Sequence, residues 1–379
     1  MESPMTTESS HHRSIEVAPG RSVKVTPVFD TYWHFAAKRQ ELFLRRVEGA
    51  RPPWTDDAII ASHRFTNAYR ASDRVSQYLI RNVIYGGSDA PEEVVFRTLL
   101  FKFFNRIETW RTLEAEVGFP TWKQFDFEKY ARVLDRTMEG GERLYSAAYI
   151  MPSPNFGNAR KHRNHLCLLE HMMRDKLPRR LAQAKHLSDV FETLRTYRSL
   201  GDFLAFQYAI DLNYSAVVNF SEMEFVVAGP GARDGLRKCF ADSAGLSDAD
   251  LIRLVAQMAS DEFKRLKLPF RPLWGRPLQL IDCQNLFCEV DKYARVAHPE
   301  YSGSSGRTRI KQKFTPQSAP LPQWYPPKWN IKPPSVAAEN TKATSRRRAI
   351  QLPLTLEAAS RPSTTALSAS RRRDDPVAV

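Results

Sequence analysis

The run FRTLLFKFFNRI, residues 96–107, decides the fold class. It is apolar on nearly every side at helical spacing, which predicts a central, buried helix. Pro91, with Glu92 and Glu93 behind it, starts that helix: a proline suits the first turn, and carboxylates suit the positive end of the helix dipole. Upstream, Thr55 caps an expected long helix with Asp56 and Asp57 in its first turn; Phe65, Ala68, Tyr69, Ser72, Val75 and Leu79 form its stripe, and Gly86-Gly87 stop it. Downstream, Asp126 is an N-cap with Phe125 and Tyr130 placed as a hydrophobic staple. Gly140-Gly141 interrupts the chain. Further helices are expected over roughly 160–175, 178–197, 200–212, 220–228, 232–242, 248–264 and 282–296. Alternating strand patterns are nearly absent, so the expected class is all-α, without a solenoid period.

The composition carries such a core. The 379 residues are 42% hydrophobic and 11% aromatic, too apolar for a wholly disordered chain. Four cysteines in this length do not make a disulfide framework, and no C-x-x-C pair suggests zinc. His162, His165, Cys167 and His171, close together on one expected helix, do not have the spacing of a metal set. No run of eighteen apolar residues exists, and the start, MESPMTTESSHHRSIEVAPG, lacks an apolar signal core. The expectation is an intracellular protein with no membrane partner, nuclear if its source is eukaryotic.

The formal charge of +14 makes an anionic partner, nucleic acid first, the natural candidate. Residues 301–379 hold +10 of it, with ten of the 25 prolines and two arginine triplets, Arg346–Arg348 and Arg371–Arg373. Such a segment buries too little apolar surface to offset its ordering entropy, so disorder is expected from about Ser302, and also over residues 1–26. Within the tail, QWYPPKWNIKPP has the aromatics to dock on the body or on a partner. Between the ends, 27–300 reads as the helical domain.

Several polar residues sit where a core should be. Thr98, Lys102, Asn105 and Glu108 draw a polar stripe through the most apolar helix, and buried charges cost several kcal/mol unless paired or used. A Lys102–Glu108 bridge and a cleft-facing site are both open. His63, Asn67, Arg70 and Arg74 share one face of the expected first helix; that face suits a phosphate or is plain solvated surface with an Asp73–Arg70 pair. In the stretch 220–240, a helix over Ser221–Ala228 and another from Ala232 would flank Gly229-Pro230-Gly231. That would be a helix-hairpin-helix whose amides grip a DNA phosphate, with Arg233, Arg237 and Lys238 beside it, or a plain helical turn. In the last helix, capped by Asp282, residues Asn285, Glu289, Lys292 and Arg295 lie along one face, with Asp291 close by.

Five blocks carry a resemblance: FTNAYRASDRVSQYLI (65–80), FRTLLFKFFNRIETW (96–110), LGDFLAFQYAIDLNYS (200–215), SEMEFVVAGPGARDGLRK (221–238) and IDCQNLFCEVDKYARV (281–296). In this order they resemble the helical domain of 5-hydroxymethyl-deoxyuridine (5-hmdU) DNA kinases and of α-glutamyl/putrescinyl thymine pyrophosphorylases. These are distant relatives of the helix-hairpin-helix DNA glycosylases, and the similarity spans roughly residues 28–298. The resemblance implies a glycosylase-like helical fold and action on 5-hydroxymethyluracil in DNA, through phosphorylation or through displacement of pyrophosphate by an amine. Asp291 and Arg295 resemble the Asp and Arg that come after the glycosylase hairpin. No G-x-x-x-x-G-K-[ST] occurs in the sequence, which disfavours a stand-alone kinase.

The resemblance therefore implies a pyrophosphorylase-type transferase acting on 5-hydroxymethyluracil or its phosphorylated form. Its partners would be DNA containing modified thymine, an amine or amino-acid co-substrate and a separate kinase. No cofactor is evident, and a divalent metal on the pyrophosphate is compatible with the chemistry. The implied roles put Lys102, Glu108, Glu289 and Asp291 in catalysis, and Asn67, Arg70, Arg74, Asn105, Asn285, Lys292 and Arg295 on base and phosphate. Gly229, Gly231, Arg233 and Lys238 would hold the DNA backbone, while Asp211 and Asn213 rank second. The rival readings are a non-catalytic DNA-binding module that recognises modified thymine and a glycosylase-like base-excision enzyme.

Overall fold

The computed structural model describes residues 12–147, 151–315 and 323–333, which fall within the unit ending at Val336; Ala337–Val379 lie outside the described residues. The chain opens with two strands, β1 (Arg13–Ala18) and β2 (Arg21–Val25), then helices α1 (Pro27–Val47), α2 (Ala58–Ser62) and α3 (Arg74–Tyr78). It continues through α4 (Pro91–Phe104), α5 (Ile107–Val117), α6 (Phe127–Glu139), α7 (Lys161–Arg174), α8 (Leu177–Ala182), α9 (Leu187–Arg195) and α10 (Asp202–Leu212). Then come α11 (Pro230–Cys239), a short strand β3 (Phe240–Asp242), α12 (Asp248–Arg265) and α13 (Leu280–Ala297). The fold is mainly helical, as expected, with one small antiparallel sheet in the order β1-β2-β3.

That sheet corrects the expectation of a disordered start. RSIEVA and RSVKV alternate apolar and polar residues around Gly20, whose φ of 73° suits the turn. Val23 and Val25 are buried on the inner face.

α4 is the core helix the sequence predicts: every residue from Val94 to Phe104 is buried. At roughly 1.5–3 kcal/mol per buried large apolar side chain, it anchors the body. Asp126 accepts from the Lys129 N–H at 2.7 Å, and the Phe125 and Tyr130 rings meet at 5.0 Å, so the cap and staple at α6 are present. The other long pattern, 55–85, is not one helix. Asp57, not Thr55, caps α2; the chain then leaves helical geometry, makes a 3-10 turn at Arg70–Ser72, and resumes as α3 and a π-helical turn over Leu79–Ile84. The physical reason lies in the backbone donors. The amides of Thr66, Asn67 and Arg70 donate to the carboxylates of Glu289, Asp73 and Asp282 at 3.1, 2.8 and 2.8 Å, replacing helical carbonyl acceptors with tertiary ones.

Nor do all the later elements match. The expected 178–197 helix is two, α8 and α9, and no helix covers 220–228. Two pieces of the expected disordered tail have defined places. Phe314 donates to the Ser62 carbonyl at 3.1 Å and Arg64 to the Gln312 carbonyl at 3.0 Å, while Tyr325 is buried. The Arg346–Arg348 and Arg371–Arg373 triplets lie outside the described residues.

Candidate functional site

Lys102 sits in the last turn of α4, Asp211 in the last turn of α10, and Arg70 at the start of the 3-10 turn. Both helices are apolar nearly all round, so polar residues on them are carried into the interior. There Asp211 accepts from Arg70 Nη1 at 2.7 Å through Oδ1 and pairs with Lys102 Nζ at 3.0 Å through Oδ2. Arg70 also donates through Nε to Gln207 Oε1 (3.1 Å) and through Nη1 to the Tyr214 hydroxyl (2.9 Å). Lys102 donates to Asn105 Oδ1 at 2.9 Å; Asn105 ends α4 in the left-handed region, at φ 48°, which Asn tolerates better than most residues.

All of these charged side chains are buried. Burial pushes the Asp211 carboxyl up, but the charges of Arg70 and Lys102 and their hydrogen bonds override it and hold it below its ordinary value. Burial pulls the Lys102 ammonium down, and Asp211 offsets only part of that.

Further charges adjoin this cluster. Asp282 accepts the Arg70 and Gln279 amides and is pushed up to about 6 by burial. Glu222, 3.3 Å from Arg276, is raised to about 7 by burial. The Arg276 guanidinium lies 3.8 Å from the centroid of the Trp329 ring, and Trp329 meets Tyr214 edge-on at 5.6 Å. Sequence reasoning ranks Asp211 second and misses Gln207, Tyr214, Glu222, Arg276 and Asp282 as site residues. Gln207 and Asp211, four apart on an otherwise apolar helix, carry the same signal that singles out Lys102.

The remaining candidates fall into other contact sets. Glu289 takes the Thr66 amide and pairs with Lys292 at 2.6 Å. Beside it, Arg39 donates to Asn67 Oδ1 at 3.1 Å, and burial pushes the Asp73 carboxyl up to about 7. Asp291 is held between Lys238 at 2.9 Å and Arg295 at 2.5 Å. Lys238, with its side chain only 1% exposed, therefore points into the interior against Asp291. Glu108 does not bridge Lys102: α4 ends at Asn105, and Glu108 lies half-exposed on α5, 3.4 Å from Arg106. Arg74 is exposed and Asn285 partly buried, while Asn213 stitches a loop by accepting from the Phe220 amide at 2.9 Å and donating to its carbonyl.

The helix-hairpin-helix is not formed. Residues 221–229 run without a helix into α11, which starts at Pro230, earlier than the expected Ala232. Its glycines serve helix packing. A Cβ on Gly231 would lie 2.4 Å from Cys288 Sγ, one on Gly235 2.1 Å from the Phe287 carbonyl oxygen, and one on Gly229 2.7 Å from the Phe203 ring. Arg233, half-exposed, lies 3.5 Å from Asp248. Elsewhere, an open cavity of about 490 Å³ lined by Phe156, His171, Tyr197 and Arg198 contains none of the candidate residues. Among the described residues, no group of three metal-ligating side chains converges, and no helix is long and apolar enough to cross a membrane.

No solved structure matches this chain. A curated relative, the 5-hmdU DNA kinase of Bacillus phage SP10, is 27% identical over 311 residues, which cover 76% of this chain and 48% of the relative. The chain thus spans about half the length of the curated relative it matches. The family described as "5-hmdU DNA kinase, helical domain" matches residues 26–303, a span that contains α1 to α13 and every residue of the Arg70–Asp211–Lys102 cluster. On that match the chain belongs to the 5-hmdU DNA kinase helical-domain family.

Proposed function

We propose that this chain acts on 5-hydroxymethyluracil, or its phosphorylated form, in DNA as a pyrophosphorylase-type group transferase, with the Arg70–Asp211–Lys102 cluster as its anion site. The observation that carries the reading is the convergence of two buried cations from different elements on one carboxylate, at 2.7 and 3.0 Å. In a water-poor site, charges held in place this way stabilise a developing or leaving phosphate far more than in water, and need no reorganisation as the charge moves. The base would be extruded from the stack to reach them. Within that reading, Asn105 and Gln207 set the orientation of the two cations. Asp282 and Glu222, both raised towards neutrality by burial, are the carboxyls able to exchange a proton with an incoming amine near pH 7. Glu108 drops out of the proposed machinery, because it lies outside the cluster.

One observation favours a second reading, a non-catalytic module that recognises modified thymine. Glu289 and Asp291 are each locked in an ion pair with a lysine or arginine, and the candidate residues do not gather in a single pocket. Mass spectrometry of nucleosides separates the two. DNA containing 5-hydroxymethyluracil, with and without prior phosphorylation, is incubated with the protein and a panel of amines. A mass gain at thymine supports the transferase, binding without a mass change supports the module, and a released free base would replace both with base excision.

A further inference from the structure

The stretch Gln323–Ile331 lies beyond the 26–303 family segment, yet it sits against residues of that segment's charged cluster. Polar contacts hold it in place. The Trp324 amide donates to Gln77 Oε1 at 2.7 Å, Tyr325 and Ser72 share a hydroxyl hydrogen bond at 2.8 Å, and Lys328 Nζ donates to the carbonyls of Ser215 and Val218, both at 2.9 Å. Between these contacts the Trp329 indole rests 3.8 Å from the Arg276 guanidinium and edge-on to Tyr214, whose hydroxyl accepts from Arg70. A flat ring on an arginine plane, walled by a tyrosine, is how proteins hold an unpaired nucleobase. Directly behind that tyrosine are buried cations of the kind that bind phosphate.

We infer that Trp329 and its strap fill a slot for an unpaired nucleotide of DNA, in which Arg276 and Tyr214 take the base and Arg70 faces the phosphate, so that strap and nucleotide exclude one another. The inference rests on the proposal that DNA is the substrate class and names the place where a nucleotide of it binds. A second observation supports competition. The strap carries Lys328 into the interior near Arg276 and Glu222, where burial, only partly offset by Glu222, pulls the Lys328 ammonium down to about 8. Seating the strap therefore carries a desolvation cost that its release to solvent removes, which eases its displacement by a nucleotide.

The test measures fluorescence anisotropy of a labelled single-stranded oligonucleotide carrying one 5-hydroxymethyluracil, titrated with the full chain at fixed salt. Trp329→Ala and Lys328→Ala are each expected to tighten binding roughly tenfold, the gain for a slot that the strap keeps about nine-tenths closed. Lys328→Ala is the sharper variant. It removes a positive charge, so ordinary DNA electrostatics would weaken binding. Adding Arg276→Ala to Trp329→Ala is expected to abolish the gain. Unchanged or weaker binding in both strap variants overturns the inference, as does a gain that survives the loss of Arg276. Anisotropy does not register turnover, so affinity gains without any mass change at thymine would overturn the transferase reading and leave the slot standing. A mass change with unaltered affinities would do the reverse.

Discussion

Replacing Asp211 by Asn keeps the shape of the buried cluster and removes the anion that Arg70 and Lys102 share. The amide oxygen can still accept from Arg70 Nη1, now 2.7 Å away, but the amide nitrogen then faces Lys102 Nζ, at 3.0 Å, donor against donor. Arg70 cannot shed its proton and keeps Gln207 and Tyr214 as acceptors. Lys102, already lowered by burial, is the group that gives way. Deprotonating at pH 7 a lysine whose unfolded-state pKa is about 10.4 costs about 4–5 kcal/mol, at about 1.4 kcal/mol per unit. That agrees with the roughly 3–5 kcal/mol typical of breaking a buried pair from one side. The sign comes from proton counts. In the variant the unfolded chain binds a proton at Lys102 that the folded chain lacks, so variant stability rises with pH and the deficit narrows between pH 7 and 9. Urea unfolding followed by circular dichroism at both pH values measures this, and Asp211→Asn/Lys102→Met should recover much of the loss. A variant within about 0.5 kcal/mol of the parent at pH 7, or a deficit that widens with pH, would refute the account of the cluster.

Three other substitutions test the neighbouring geometry. Asp73 is raised to about 7 in the fold, so between about pH 4 and pH 7 the folded chain holds a proton the unfolded chain has lost, and stability falls across that window. Asp73→Asn, whose side-chain oxygen can still accept the Asn67 amide, should be more stable than the parent at pH 8 and equal to it below about pH 4 in pH-dependent unfolding. In the α11–α13 contact, Gly235→Ala drives a methyl into the Phe287 backbone and should cost about 3 kcal/mol or more, whereas Gly231→Ala meets only the movable Cys288 side chain and should cost about 1 kcal/mol. Thermal unfolding ranks the pair, and equal losses would contradict the packing role given to these glycines.

Much of the architecture is legible in the sequence because local rules and burial agree. α4, the α6 cap and staple and the approximate extents of α10 to α13 come from apolar spacing and capping, although Gln279 and not Asp282 caps α13, with Asp282 in its first turn, and the expected end of the 232–242 helix is strand β3. The failures have physical causes. The hairpin RSIEVAPGRSVKV does alternate, but its position at a polar, charged start hides it. The 55–85 pattern reads as one helix because its apolar spacing is helical, yet Glu289 and Asp282, more than 200 residues away, supply acceptors that pull its amides out of the helix. Lys102 stands out as a cation on an apolar helix. Its partner cannot be read from spacing, because residues 70, 102 and 211 meet only through the packing of three separate elements. The Gly-Pro-Gly run suggests what glycine amides offer a phosphate, whereas here the missing side chains let two helices approach.

The pairing of the chain's beginning with its far end bears on how the protein is made. β2 hydrogen-bonds to β3, the Thr26 amide donates to the Cys239 carbonyl at 2.9 Å, and on α1 Tyr32 packs on Phe287 at 4.6 Å while Phe29 packs on Phe240 at 5.4 Å. At ribosomal rates of roughly 5–20 residues per second, α1 waits on the order of ten to fifty seconds for α11 and α13 to emerge. Throughout that interval Phe29 and Tyr32, both buried in the finished fold, lack these partners. A nascent chain of this protein thus presents an amphipathic helix whose apolar face waits for its cover until α13 is synthesised.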